Sequence, residues 1–419
     1  MLNKNLNTKK FIVFGLLYLS LILAFFLNED ANGGAIQDWI GYKLLINEFL
    51  NNFNSAFLNY DEYGNRHSPL IHIILSFLYK LNLTEVSVRF LHLNFSLISI
   101  LFFYKCLLLK YKNIDKNLLY LIPLVFFISP TFRSLSIWPD SRIFGFHFLV
   151  ISTFYYLKFF YFKKELKYVF LNVFFLAISA YFSPNFCLFA IYFFYKFFNH
   201  YKFSKEILYI ILLNIILALP AFYYLFVLEI FFLTAGDTPG NYVNEYGIKN
   251  NYNISNKILI ISTLIMFYFF PISIIKKKIF VFTNNIKLKE IIFIGIISIL
   301  LVQFFNYETY YTGGGIFFHL SHFLFNNNLL FFLISFYSII FVYKICVNKP
   351  DNLFIIILLI CSNPQLSIYH KYYDPLLIFF IFSLFTMNFK KSFFKIKNIL
   401  FIYIFYFLFL SISLIKFIF

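Results

Sequence analysis

The sequence predicts an all-α, polytopic membrane protein with about thirteen transmembrane helices. Of its 419 residues, 61% are hydrophobic and only 13% are charged, whereas soluble globular chains are nearer ~45–50% apolar and ~25% charged. The apolar residues also fall into long runs, and a helix needs about 20 such residues to cross a bilayer. These two observations exclude a soluble enzyme, a disordered chain and a coiled coil.

The predicted spans follow one another from the N-terminus to the C-terminus. They cover residues 11–28, 86–104, 118–133, 143–162, 168–183, 185–198, 207–233, 257–275, 290–306, 329–347, 353–368, 375–389 and 398–418. The run 69–81 is too short to span, so we expect a helix that lies against the membrane. No small-residue cleavage site follows the first apolar run, which indicates a retained span rather than a signal peptide. The turn Ser183-Pro184-Asn185 separates two helices.

The charged residues divide the loops into two faces. One face carries 25 of the 35 basic residues as lysine clusters and only five acids, whereas the other carries ten bases and thirteen acids. The positive-inside rule places the lysine-rich face, and the N-terminus with it, in the cytoplasm. The net charge of +17 therefore indicates orientation and attraction to membrane lipids, and it is no evidence for a nucleic-acid partner.

The outer face carries the residues that we consider for function. It holds all four arginines, Arg66, Arg89, Arg133 and Arg142, whose planar guanidinium groups suit phosphate or carboxylate. With only four arginines, their placement on one face by chance stays open. However, Arg133 and Arg142 also bracket Asp140, and ionisable groups at a membrane edge tend to mark function. A local Asp140–Arg142 ion pair, or a place for Asp140 in the first helical turn, is the structural alternative.

The first outer loop, residues 29–85, is the longest and contains seven acids. It predicts an amphipathic helix from Asp38 to Asn51, so we expect a loop folded back on the membrane, and long ordered loops usually carry function. Later outer segments add Gly313-Gly314-Gly315, which fits either close approach to a ligand or an ordinary flexible loop. His319 and His322 share a helix face without a third ligand, so no metal site is predicted.

The order of these motifs resembles the GT-C superfamily of integral-membrane glycosyltransferases, in particular the aminoarabinose transferase and protein O-mannosyltransferase branch. Asp38-Trp39-Ile40-Gly41-Tyr42 stands where that branch has an Asp-Glu-x-x-Tyr pattern. The further matches are Arg66-His67-Ser68-Pro69-Leu70, Val88-Arg89-Phe90-Leu91, Ser129-Pro130 with Asp140, and Lys371-Tyr372-Tyr373-Asp374-Pro375. The likeness is best over residues 11–200. The sequence departs from the pattern at Trp39, Ser68 and Lys371, where the family has an acid, a proline and an arginine.

The resemblance implies an inverting glycosyltransferase that moves a sugar from a polyprenyl-phosphate donor to a glycan, lipid or protein acceptor. The reaction would occur on the outer, periplasmic face of the inner (plasma) membrane. Asp38 would act as general base, with Asp30 as a competing candidate, and Asp140 would orient the acceptor, an arginine or a metal. No cofactor is required, although two carboxylates leave room for a divalent metal. The donor phosphate would bind Arg66, Arg89, Arg142 and Lys371, and the remaining donor or acceptor contacts would be His67, Tyr42, Glu308 and Tyr372.

We expect a single integral-membrane domain over residues 1–419. It would comprise the first outer loop at 29–85, a GT-C-like helical core at 86–233 and variable spans at 234–419. Two other functions stay open. A lipid-linked-sugar flippase or transporter usually shows repeats and polar residues at mid-membrane, which are not seen here. A polysaccharide polymerase or ligase usually has its large loop late in the chain, whereas here the large loop comes first.

Overall fold

The structure, a computed structural model, describes residues 2–63, 67–227, 253–275, 287–309, 313–365, 367–387 and 389–418. Within these ranges all regular secondary structure is helical, which confirms the all-α prediction. The chain packs as two compact units. The first unit is Met1–Pro239 with Phe394–Phe419, and the second is Gly240–Phe393.

Eighteen α-helices are described within these ranges. In chain order they are α1 Leu2–Phe26, α2 Ala35–Asn51, α3 Phe53–Leu58, α4 Leu70–Lys80, α5 Glu85–Lys110, α6 Lys116–Leu121, α7 Pro130–Ile137, α8 Ser141–Tyr161, α9 Leu166–Phe182, α10 Phe189–Tyr201, α11 Lys205–Phe226, α12 Ile254–Ile275, α13 Leu288–Gln303, α14 Ile316–Phe325, α15 Leu329–Cys346, α16 Pro350–Cys361, α17 Leu376–Ser383 and α18 Ile396–Ile418. Short 3₁₀ turns occur at Tyr60–Tyr63, Pro123–Ile128, Pro184–Leu188 and His370–Tyr372.

Six of the described helices are long and apolar enough to cross a membrane: α5, α8, α11, α12, α15 and α18. The chain is therefore a multi-pass membrane protein, while the count of thirteen spans stays a prediction. The run expected to form one span at 118–133 is instead a helix pair, Lys116–Ile128 and Pro130–Ile137, bent by 67°. Pro130 causes the break, because proline disfavours helical conformation in the preceding residue. The Ser129 side chain then caps α7 by accepting from the Phe132 backbone N–H at 3.1 Å.

Helix α2, in the loop after α1, begins three residues before the predicted start. Gly33 and Gly34 turn the chain with φ of 73° and 94°, values that glycine adopts without steric cost. Asp30 accepts hydrogen bonds from the Gly33 and Ile36 backbone N–H groups at 3.1 and 3.2 Å, and a carboxylate is favourable at a helix N-terminus. The buried face of α2 includes Trp39, Tyr42, Ile46 and Phe49. The predicted amphipathic helix is thus confirmed.

Helices α8 and α9 approach closely at Gly145. A Cβ atom at this position would lie 2.8 Å from the Cβ of Ser183 and 3.0 Å from the ring of Phe186. The carbonyl of Gly145 also accepts a hydrogen bond from Ser179 Oγ at 2.6 Å. Because α8 begins at Ser141, directly after Asp140, this contact helps to fix the position of the residues at its start.

We expect Gly145→Ala to lower the free energy of unfolding by about 1–3 kcal/mol, the usual cost of overpacking a tight contact. The thermal unfolding midpoint of the purified protein in detergent measures this change. The matched control is Gly15→Ala in α1, where nothing lies within 4 Å of an added Cβ, so that alanine should be neutral or stabilising. Equal midpoints for the two variants would contradict the packing argument.

Candidate functional site

A carboxylate–arginine cluster lies at the start of α8. Arg142 Nη2 is 2.6 Å from Asp38 Oδ2 and 2.5 Å from Asp140 Oδ2, and Arg142 Nε donates to Asp140 Oδ1 at 2.9 Å. Asp140 Oδ1 also accepts from the Arg142 backbone N–H at 2.7 Å, which makes Asp140 the N-cap of α8. The local ion pair left open for Asp140 is therefore present, and Asp140 caps the helix instead of lying in its first turn. The structure adds Asp38, which lies on α2.

The three members of the cluster differ in access to solvent. The side chain of Asp140 is 2% exposed and that of Arg142 is 11% exposed, whereas that of Asp38 is 35% exposed. A buried charge must be paired to be tolerated, and Arg142 is paired on both sides. Asp38 is consequently the accessible carboxylate of the cluster.

The guanidinium of Arg142 stands between the two carboxylates that were considered as shared metal ligands. It supplies the positive charge that a divalent cation would bring to Asp38 and Asp140. Within the described ranges, no three His, Cys, Asp or Glu side chains are grouped so that they could hold a metal ion.

Tyr42 links α2 to the start of α8. It lies one helical turn after Asp38, and its hydroxyl accepts from the Ser141 backbone N–H at 3.3 Å and is 2.9 Å from Ser141 Oγ. Burial, reinforced by the negative charge of Asp140, raises the pKa of Tyr42 above its usual value. Tyr42 therefore stays a neutral hydrogen-bonding group and holds the helix that carries Asp38 against α8.

A buried histidine continues this contact chain. The ring of His72, on α4, packs edge-on against Tyr42 with centroids 4.9 Å apart. Its Nδ1 lies 3.3 Å from the hydroxyl of Tyr60, which donates to the carbonyl of His67 at 3.0 Å. Burial lowers the pKa of His72 to about 3, so the imidazole is neutral at physiological pH. The sequence contains no signal for His72 or Tyr60 beyond a histidine and a tyrosine near an apolar run.

His67 and Ser68 line an apolar cavity of about 230 Å³ in the first unit. Two hydrogen bonds fix its walls: Ser68 Oγ donates to the Tyr181 carbonyl, and the Tyr181 hydroxyl donates to the Leu217 carbonyl, both at 2.6 Å. Most of the lining comes from α9 and α11, with small or aliphatic side chains such as Ala177, Ala180, Leu217, Ala218 and Ala221. The contact chain through Tyr42, His72 and Tyr60 thus connects the carboxylate cluster with this cavity.

Arg133 does not share Asp140 with Arg142, although the two arginines bracket it in sequence. It forms a two-pronged ion pair with Glu29, with Nε–Oε1 and Nη2–Oε2 both at 2.7 Å, and donates to the Phe127 carbonyl at 2.9 Å. Both partners are buried. Because Glu29 follows α1 and Arg133 lies on α7, this pair joins the two segments and leaves Asp140 to Arg142.

Two further candidate residues of the first unit, Asp30 and Arg89, form hydrogen bonds with other residues of that unit. Asp30 is 3% exposed and accepts from the backbone N–H groups of Gly33, before α2, and of Ile36, in its first turn. Arg89 donates to the Asn28 side chain at 3.0 Å and to the Ile137 carbonyl at 3.3 Å. Its guanidinium also stacks 3.5 Å from the ring centroid of Trp138. Arg66 lies outside the described residues.

The remaining candidates belong to the second unit. Lys371 Nζ is 4.9 Å from the ring centroid of Tyr369, the Tyr372 hydroxyl donates to the side-chain carbonyl of Gln365, and Glu308 is exposed. The two histidines of α14 each have their own partner. His319 Nε2 is 2.5 Å from the Gly313 carbonyl, and His322 Nε2 is 2.7 Å from Asn328 Oδ1.

The triple glycine makes a close contact with the chain itself. All three glycines have positive φ, between 82° and 96°, and the Gly314 N–H donates to the Ile368 carbonyl at 2.9 Å. A Cβ atom at Gly313 would lie 2.5 Å from that same oxygen. The close approach anticipated for a ligand is therefore made here by the backbone at Ile368.

We expect Glu29→Gln to lower the free energy of unfolding by about 3–5 kcal/mol, because it leaves the buried Arg133 charge uncompensated. The matched control is Glu165→Gln, where Glu165 pairs with exposed Lys163 and Lys167 and the loss should be about 0–1 kcal/mol. Thermal unfolding of both variants in one detergent measures the difference. Similar losses at the two positions would show that the Glu29 pair is not a structural requirement.

Comparisons of this chain with protein-family models, with curated proteins and with solved structures found no match.

Proposed function

We propose that this chain is an inverting glycosyltransferase that moves a sugar from a polyprenyl-phosphate donor to a glycan, lipid or protein acceptor. In this proposal the N-terminus is cytoplasmic and the site faces the outer side of the inner (plasma) membrane. The observation that carries the proposal is the accessible Asp38 carboxylate, held by Arg142 against the buried Asp140. A contact chain connects this cluster with an apolar cavity.

Asp38 is the carboxylate best suited to be the general base. A base must reach the acceptor hydroxyl, whose proton it takes as the oxygen attacks the anomeric carbon. The side chain of Asp38 is 35% exposed, whereas Asp30 is buried and accepts from two backbone N–H groups. In this mechanism Arg142 orients Asp38, and Asp140 holds Arg142.

The apolar cavity is suited to the first part of a lipid tail. A cavity of 150 Å³ holds benzene, which has six carbons. By proportion, the cavity of about 230 Å³ would take about nine carbons, or roughly two isoprenoid units, and the rest of the tail would lie in the bilayer. His67 lines this cavity and accepts the hydrogen bond from Tyr60 in the contact chain, so that the phosphate end of the donor would lie on the side that leads to Asp38.

The developing charge on the lipid-phosphate leaving group needs cationic partners. Arg142 is shared between two carboxylates, and Arg89 is held by Asn28 and Trp138. We therefore assign the donor phosphate first to Arg66, which immediately precedes His67 in sequence, and Lys371 stays a candidate from the sequence alone. Arg89 and Arg142 then act as positioning residues, and a divalent metal is not required.

We expect Asp38→Asn to reduce sugar transfer by at least about 100-fold, because the amide cannot take the proton from the hydroxyl group of the sugar acceptor. The assay measures transfer of label from a panel of polyprenyl-phosphate sugars in membranes that contain the protein. Glu48→Gln is the matched control, since Glu48 is an exposed acid on the same helix and should retain activity. Full activity of Asp38→Asn would remove this residue from the mechanism. Movement of lipid-linked sugar across proteoliposomes without transfer would favour a flippase instead.

We expect Leu217→Trp to raise the KM for the lipid donor about tenfold, since the larger ring fills part of the cavity that receives the tail. Leu219→Trp is the control, because Leu219 lies on the same helix with 56% of its surface exposed and outside the cavity lining. Steady-state transfer rates at several donor concentrations give the KM of each variant. An equal KM for the two variants would contradict the assignment of the cavity to the donor.

A further inference from the structure

Two lysines from neighbouring helices converge on one aromatic ring in the first unit. Lys105 Nζ, from α5, is 5.9 Å from the ring centroid of Phe154, and Lys158 Nζ, from α8, is 5.6 Å from the same centroid. Lys105 also lies 4.4 Å from Phe102, and Lys158 lies 4.6 Å from Tyr168. The two ammonium groups thus share a small aromatic surface, which we call the Phe154 cleft.

The Phe154 cleft concentrates positive charge. Both lysines are half-buried, and the ion pairs seen among the described residues include neither of them. Glu165, the acid of the loop after α8, pairs with Lys163 and Lys167 instead. Cation–π contacts stabilise each ammonium separately, but they do not neutralise its charge. An anion that contacts both ammonium groups would do so.

The surroundings of the cleft favour the phosphate of a lipid over a phosphate from solution. Lys105 and Lys158 lie in the last two turns of α5 and α8, both of which are long and apolar enough to cross a membrane. Leu101 and Phe162, near them in sequence, are 49% and 65% exposed. A phospholipid can place its phosphate beside the lysines and its acyl chains over these apolar side chains, and basic pockets between membrane helices bind such head groups.

We propose that the Phe154 cleft binds the phosphate of an anionic phospholipid, with Lys105 and Lys158 as its two cationic contacts. The site is separate from the Asp38 cluster and does not depend on the proposed glycosyltransferase activity. Because one lysine comes from α5 and the other from α8, the bound lipid joins these two helices. Binding to the folded state then raises stability by mass action.

The test uses the full chain, purified in a zwitterionic detergent, and a fluorescent short-chain phosphatidylglycerol as the probe. A lysine near an anionic membrane surface contributes about fivefold in affinity. Lys105→Gln and Lys158→Gln should therefore each weaken binding roughly fivefold, and the double variant on the order of 25-fold. Lys105→Arg with Lys158→Arg should retain binding. Lys390→Gln with Lys391→Gln, which removes two exposed lysines elsewhere, is the matched control and should bind like the natural chain.

Two competitors distinguish the source of the phosphate. Phosphatidylcholine of the same chain length should bind at least tenfold more weakly, and inorganic phosphate at the same concentration should not displace the probe. The proposal is overturned if the double glutamine variant binds like the natural chain, if the control pair loses as much affinity, or if either competitor matches phosphatidylglycerol. Should the double variant not purify as a folded protein, the two single variants decide the matter, because each retains one lysine.

Discussion

Charge can be buried in an apolar helix bundle only when it is paired, and this constraint determines the organisation of the first unit. Two arginines are buried or nearly so at the ends of neighbouring helices, and each meets a carboxylate from a distant part of the chain. Arg133 holds the segment after α1 against α7, and Arg142 holds α2 against α8. Because an unpaired charge there would cost several kcal/mol, these pairs leave little freedom in how the loop after α1 folds back on the neighbouring helices.

Besides these ion pairs, the first unit contains buried polar contacts made by uncharged side chains. Tyr42 and His72 are both buried, and burial shifts the pKa of each in the direction that favours the uncharged form. They can therefore connect α2, α4 and α8 without adding a charge that would need a further partner. The one carboxylate of the cluster that remains accessible is Asp38, and this difference in access is what makes it the strongest candidate for chemistry.

Much of the helical architecture could be predicted from local sequence. The amphipathic pattern after Asp38 predicted α2, and the Ser183-Pro184 turn separated α9 from α10, because both features act over a few residues. The bend at Pro130 was missed, since hydropathy alone does not distinguish a straight span from a broken one. The role of the triple glycine was also not predictable: its close neighbour, Ile368, lies more than fifty residues away.

For the candidate site, sequence alone determined that acids and all four arginines gather in alternate loops of a membrane protein and that Asp140 precedes a helix. It did not determine that Arg142, rather than Arg133, pairs with Asp140, or that Asp30 accepts from backbone N–H groups near the start of α2 while Asp38 stays accessible. Those choices depend on contacts between residues about a hundred positions apart. Only the tertiary structure decides them, because the partner of a buried charge is selected by how the helices pack and not by its neighbours along the chain.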